Sequence, residues 1–283
     1  MSFDPVAFRR ESAEGWQRAA EGWAAHRAAF HAAATPVSTW MVEAVDPRPG
    51  HRVLELAAGT ADTGLMAAER IRPGGALIVT DVAEGMLDAA RPRAGELGLD
   101  NVEFRAMDAE WIDLPAADVD AVLCRFGIML LADPAACARE VRRVLRPGGR
   151  LALATWTARE ENPWAAVPDD ELIRLGAISP PREGEPGQFS LSDPARLEEL
   201  LLDAGLLDVA IDQVDLSFPF ADLDAWWDQM LDMAMPLRDA VAALPPHQRD
   251  ALREAGDARL APYVGANGRV ALPGRANVAA AEA

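Results

Sequence analysis

From residue 50 onward the chain alternates short apolar runs with amphipathic stretches. Runs at 52–57, 76–81, 102–106, 119–124 and 150–156 are dense in Val, Leu, Ile and Ala and predict buried strands. The stretches between them, 62–71, 84–97 and 134–145, space their apolar residues as helices do. Such an alternation implies a parallel sheet with helices on both faces. Arg146-Pro147-Gly148-Gly149 reads as a helix stop and turn. Upstream, Ser12 to Ala34 carries Trp16, Ala20, Trp23, Arg27 and Phe30 at helical spacing, an aromatic face that needs something apolar to cover. A second short helix is expected from Val37 to Val45, and Asp46-Pro47-Arg48-Pro49-Gly50 is a loop into the first strand.

After Trp156 the rhythm breaks. Residues 158–193 mix Pro163, Pro168, Pro180, Pro181 and Pro186 with glycines and one helix near 164–175, the pattern of an inserted cap. A helix then runs from Asp193-Pro194 to Gly205, and Val209 to Phe220 alternates as a strand. Trp226, Trp227, Met230, Leu231, Met233, Ala234 and Met235 make one helix apolar over most of its girth. It reads as core or as a lid over an apolar ligand, with a homodimer contact as a further reading. Residues 246–261 are helical in pattern, and Arg269 to Ala281 predicts a final strand. The expected organisation is a helical lid at 1–45, a core at 46–157, a cap and substrate region at 158–245 that includes the sixth strand, and at 246–283 the last helix and strand of the core sheet.

Composition narrows the function classes. A chain of 283 residues buries a substantial core, and half its residues are hydrophobic, yet no run reaches the apolar length of a membrane helix. Met1-Ser2-Phe3-Asp4 lacks a basic region followed by an apolar one, so the expected location is cytoplasmic. The net charge of −18 argues against a nucleic-acid substrate, whose binding draws on Lys and Arg. All basic residues are arginine, which excludes a lysine Schiff base. The cluster Arg139, Arg142, Arg143, Arg146 and Arg150 reads as the solvated face and end of one helix. Cys124 and Cys137 provide neither a disulfide framework nor metal-ligand spacing, and no metal is expected.

The chemistry concentrates at strand ends. Val53-Leu54-Glu55-Leu56-Ala57-Ala58-Gly59-Thr60-Ala61-Asp62 is a strand ending in an acid that turns through small residues into a helix, a place for a nucleotide-like cofactor. Asp81 and Asp108 follow the next two strands, so three acids line one crevice. This series, with Asp120-Ala121-Val122-Leu123-Cys124-Arg125-Phe126-Gly127 and Arg143-Val144-Leu145-Arg146-Pro147-Gly148-Gly149-Arg150, resembles motif I and its successors in class I S-adenosyl-L-methionine (SAM) dependent methyltransferases. The likeness is to the small-molecule, type 11, ubiquinone-biosynthesis-like group and covers roughly residues 40 to 157. It implies an α/β fold, a Rossmann-like, mostly parallel sheet with an N-terminal helical lid and an inserted helical cap. The family pattern E/D-x-G-x-G-x-G keeps only Gly59 here, and alanine at 57 and 61 fits if φ is negative.

The resemblance also implies roles. Asp81 holds the ribose hydroxyls, since a carboxylate accepts two O–H donors. Asp108, the backbone of Ala109 and the side chain of Met107 hold the adenine, with Val82 and Met86 packed on its face. Glu55, Ala57, Gly59, Thr60 and Ala61 border the methionyl end, and Arg125 and Phe126 lie where the fourth strand reaches the cofactor. The methyl of a sulfonium is already electrophilic, so alignment and water exclusion suffice and no metal is needed. The substrate expected is a small, largely apolar metabolite, with O-methylation ahead of N- or C-methylation. The alternatives are a SAM-binding cyclase, pericyclase or scaffold of the same fold and a nicotinamide dehydrogenase, whose G-x-G-x-x-G the first turn does not supply. His26, on the aromatic face of the first helix, is the candidate base, set against a packing role. Trp23, Asn162, Trp164, Trp226, Trp227 and Met230 are candidates for the substrate pocket.

Overall fold

The computed structural model describes residues 3–182 and 184–283. Met1 and Ser2, which open the N-terminal stretch read above, and Glu183 in the cap region lie outside the described residues. Five apolar runs form the strands β1 (Arg52–Glu55), β2 (Ala76–Asp81), β3 (Val102–Ala106), β4 (Val119–Arg125) and β5 (Leu145–Trp156). The later alternating segments are β6 (Leu207–Phe220) and β7 (Val270–Glu282). All seven share one sheet in the order β3-β2-β1-β4-β5-β7-β6, parallel through β5 and antiparallel at β7 and β6. The order reverses direction between β1 and β4, and a doubly wound sheet opens its binding crevice at such a switch.

Helices α2 (Asp62–Arg70), α3 (Glu84–Glu96) and α4 (Pro134–Val144) connect the parallel strands. Past β5 come α5 (Pro163–Arg174), α6 (Pro194–Asp203), α7 (Leu223–Met233), α8 (Met235–Ala243) and α9 (Pro246–Leu260). Central strand residues such as Leu54, Ile78, Val122 and Leu153 are fully buried, as expected for strands covered on both faces. The arginines at 139–150 are engaged with local partners. Arg143 reaches Glu140 and the carbonyls of Ile112 and Leu114, Arg142 the Gly205 carbonyl, and Arg146 Asp120. Arg139 lies near Asp133, and Arg150 pairs with Glu282. No described helix is long and apolar enough to cross a membrane.

Three elements depart from expectation. The two helices expected before residue 46 are one, α1 (Pro5–Val45), which passes straight through Pro36. Pro36 and Ala32, whose carbonyl loses its partner, both face solvent, while Ala33, Ala34, Val37, Ser38 and Met41 stay buried on the other side, so water satisfies the break and packing holds the helix together. The single Trp/Met helix is split at Ala234 into α7 and α8, because Pro236 in the first turn of α8 supplies no N–H to continue the ladder. The segment 146–149 joins β5, its turn acting as an irregular lead-in where the β4 register shifts, and Gly148 N–H donates to the Ala283 carbonyl.

At about 62 Å, α1 is long enough to run across the ends of several strands. Its side chains meet those ends in the order of the sheet. Arg9 pairs with Glu110 after β3, and the Gln17 Oε1 accepts from the Gly85 N–H after β2. Arg27 pairs with Asp62 after β1, and Ser38 accepts from Arg125 at the end of β4. The Trp23 indole donates to the Met233 carbonyl, left free by the end of α7, and His26 meets Asp232.

Candidate cofactor and acceptor site

Glu55 closes β1 and its carboxyl turns beneath α2, where Oε1 accepts the Gly64 N–H at 2.9 Å and Oε2 is buried without a hydrogen bond. Gly64 is required for this: a Cβ there would stand 2.3 Å from Oε2. Burial pushes the Glu55 carboxyl up to about 8, against the lowering effect of the Gly64 N–H and Arg125. The turn that follows is left-handed at three positions, φ +46° at Ala57, +53° at Gly59 and +59° at Ala61. The two alanines therefore do not adopt the negative φ on which their fit was premised. Ala57 places its methyl against Gly127, the residue after Phe126, where a Cβ would come within 2.5 Å of it.

Asp81 ends β2 with both oxygens on backbone amides, Oδ2 to Gly59 N and Oδ1 to Ala83 N, each at 2.9 Å. Burial raises its pKa and these amides lower it. Asp108 is half-buried beyond β3, accepts the Glu110 N–H at 2.9 Å, and follows Met107, whose N–H donates to the Asp81 carbonyl. The three acids thus stand at the ends of three adjacent strands. Asp81 and Asp108 are joined through the β2–β3 ends, whereas Glu55 is withdrawn under α2.

Around them, Val82 is exposed in a cleft of about 750 Å³ shared with Glu11, Glu14, Gln17 and Arg18 of α1. Met86 and Ala83 are buried against Ala19 and Ala20 of α1, and Ala109 is buried at the end of β3. At the start of α2, the Asp62 carboxylate is buried, with Oδ1 on Arg27 at 2.5 Å and Oδ2 on the Thr60 hydroxyl at 2.8 Å. His31 Nδ1 lies 3.8 Å from the same Oδ1, is itself buried without a hydrogen bond, and is held below its ordinary pKa by burial while Asp62 pulls the other way. Arg27, His31 and Asp62 were not among the candidates. Their signal was the i, i+4 pair 27/31 on the helix face that also carries Trp23 and Phe30.

Arg125 ends β4, its Nη1 donating to Ser38 at 2.9 Å, and Ser38 bonds Thr63 at 2.9 Å. Phe126 stacks on Trp156 at 3.8 Å between centroids and begins an aromatic group with Phe30, Trp164 and Phe218. Trp23 lies edge-on to Phe30 at 5.0 Å, and Trp164 packs on Phe218 at 4.5 Å. These are the pocket candidates that the fold brings together. Asn162 is fully buried, with Nδ2 on Thr157, Ala158 and Arg275 and Oδ1 on the Arg275 N–H. Trp226 is fully buried and donates to the Trp164 carbonyl, Trp227 lies against it at 5.3 Å, and Met230 is buried on the same helix. His26 is at the α1–α7 contact, its Nε2 3.0 Å from Asp232, which also takes Arg238.

A model of the methyltransferase-domain family matches residues 53–149, the stretch from β1 to the turn before β5 proper. Residues 53–149 carry a methyltransferase domain. The chain is 35% identical over 147 residues to nocamycin O-methyltransferase of Saccharothrix syringae, covering 50% of each chain. It is 34% identical over 111 residues to the ubiquinone/menaquinone biosynthesis C-methyltransferase UbiE of Cellvibrio japonicus, covering 39% of this chain and 45% of that one. The matched stretch spans about half the length of these curated relatives. Among solved structures, the [4+2]-cyclase SpnF shares the fold at a TM-score of 0.54 and 17% identity, covering 94% of this chain and 95% of that one.

SAM is the cofactor of this methyltransferase family, and the residues present fit it. A Cβ on Gly59 would meet nothing within 4 Å, so the methyltransferase turn leaves open space above its backbone. Asp81 lies directly beside that space through the Gly59 amide.

Proposed function

We propose that the chain transfers the methyl group of SAM to an oxygen of a small, largely apolar metabolite. What carries the reading is the pairing of Asp81 with the open left-handed turn at Gly59, at the point where the sheet order reverses. When bound, the cofactor supplies an electrophilic methyl group on a sulfonium. Asp81 exchanges a backbone amide for ribose hydroxyls, and Asp108, Met107 and Ala109 border the adenine beside the cleft at Val82 and Met86. Glu55, Thr60 and Ala61 flank the methionyl end. Helix α1 acts as the lid over all of these, tied down at Glu110, Gly85, Asp62 and Arg125. The aromatic group of Trp23, Phe30, Phe126, Trp164 and Phe218 forms the acceptor wall, where flat apolar molecules are desolvated before transfer.

Oxygen as the acceptor atom is supported by the name of the nocamycin O-methyltransferase, and the apolar acceptor by the aromatic wall. The residues 1–45, 46–157, 158–245 and 246–283 then divide as lid, cofactor core, cap and sheet completion, with β6 of the cap region built into the sheet through β7. The test is incubation of the protein with SAM and a panel of phenols, enols and carboxylic acids, followed by mass spectrometry. The expected result is S-adenosylhomocysteine formed one-for-one with a methyl ether or ester. SAM that binds but is never demethylated, alongside a rearranged product, would instead make the protein a cyclase on this fold.

A further inference from the structure

Arg125 is a guanidinium without a counter-ion. Among the described residues no carboxylate lies within ion-pair distance of it, and its one hydrogen bond is to the neutral Ser38 hydroxyl. Nearly every other arginine around the sheet edge has an acidic partner: Arg9 has Glu110, Arg27 has Asp62, Arg105 has Glu103 and Arg146 has Asp120. The Arg125 guanidinium also lies over an aromatic ring, 5.8 Å from the centre of Phe30. Burial lowers its pKa, and Asp62 and Glu55 offset this only through longer-range attraction. Asp62 is already engaged by Arg27, and burial favours the neutral form of Glu55. A planar cation held half-buried with donors to spare is a receptor for an anion, because leaving it uncompensated costs more than pairing it.

We propose that Arg125 receives the acidic oxygen of the acceptor, so that the substrate is a phenol, enol or carboxylic acid bound as its anion against the Phe30 side of the aromatic wall. The inference rests on the methyl-transfer reading. Arg27 and Asp62 stand on the side of the motif turn, whereas Arg125 stands on β4 beside Phe126, the side of the acceptor wall. Pairing with Arg125 lowers the acceptor's pKa, so its proton leaves to solvent before transfer and the site requires no general base. The anionic oxygen then forms the C–O bond as the C–S bond breaks, and that bond's electron pair remains on sulfur as the neutral thioether. Ser38, bridged to Thr63, is a positioning residue that aims the guanidinium.

The test uses the full chain saturated with S-adenosylhomocysteine and two probes, 2-hydroxy-1,4-naphthoquinone, an acidic enol, and its 2-methoxy ether. Calorimetry on the unaltered protein should show the enol binding about tenfold or more tighter than the ether, as for a charge-assisted hydrogen bond. Arg125→Met should remove that preference and Arg125→Lys should keep most of it, each read as the ratio of enol to ether affinity on protein saturated with S-adenosylhomocysteine. Equal binding of enol and ether by the unaltered protein overturns the assignment without any variant. Loss of S-adenosylhomocysteine affinity in Arg125→Met, with the enol preference intact, also overturns it and makes Arg125 a ligand of the cofactor's carboxylate. Failure of the unaltered protein to bind S-adenosylhomocysteine would instead remove the methyl-transfer reading itself.

Discussion

The exchange of a motif glycine for Ala57 is accommodated by a glycine elsewhere, and the pair offers a quantitative test. A Cβ on Gly127 would lie 2.5 Å from the Ala57 Cβ and 3.1 Å from the Cys124 Sγ. Carbon atoms in contact prefer about 3.5–4.0 Å, so Gly127→Ala must displace the turn by about 1 Å. Such overpacking costs about 1–3 kcal/mol. Gly127 has φ −101°, open to alanine, so the stiffer unfolded chain returns about 0.4–1 kcal/mol. The net expectation is a loss of about 1–2 kcal/mol. In an Ala57→Gly background the closest contact is gone, and Gly127→Ala should be neutral or slightly stabilising. Ala57→Gly alone should change little, because release of left-handed strain, about 1 kcal/mol, is offset by a freer unfolded chain and a lost methyl contact. Urea denaturation of the four proteins, compared at constant m, yields the coupling energy directly. A coupling of about 1 kcal/mol or more is expected, and additivity within about 0.5 kcal/mol would refute the packing of turn against β4.

Other consequences follow from the charged groups. Glu55 is raised from 4.5 to about 8 in the folded chain, so the folded state holds its proton more tightly than the unfolded state. Its contribution to stability is complete below the unfolded pKa and is lost as pH rises through about 8; denaturation midpoints should fall across that window, and Glu55→Gln should flatten the fall. Arg27→Ala leaves the buried Asp62 without its cation and should cost about 3 kcal/mol, whereas Arg27→Ala with Asp62→Asn should recover much of it; an unchanged midpoint in the single variant would contradict the buried pair. His26→Ala removes a tie between α1 and α7, so it should raise KM for SAM and leave the shape of the pH–rate profile alone; loss of the acidic limb, where a base must first give up its proton, would make His26 the base.

The strands were legible because each is a short apolar run closed by an acid or a turn, and all seven lie within a few residues of where the pattern puts them. Helix ends were less so. Nothing local says that Pro36 faces water, which is why one helix reads as two, and the break at Ala234 depends on Pro236 in a stretch that is otherwise uniformly apolar. At the site, the succession Glu55, Asp81, Asp108 was visible in the sequence, but the direction of a carboxylate was not. Glu55 turns under α2 because Gly64 leaves room there, a fact of packing between residues nine apart. Asn162 has the composition of a pocket residue, and its amide is occupied by backbone contributed from β7, more than a hundred residues away. The isolation of Arg125 is equally non-local, since it depends on which acids other arginines have already taken.

If Asp81 and the turn at Gly59 hold the adenosyl group of SAM, calorimetric titration with S-adenosylhomocysteine will register it. Binding in the micromolar range or tighter, about −8 kcal/mol, is expected, weakened roughly tenfold or more in Asp81→Asn. Absence of heat and of any thermal shift, or equal affinity in the variant, would contradict it.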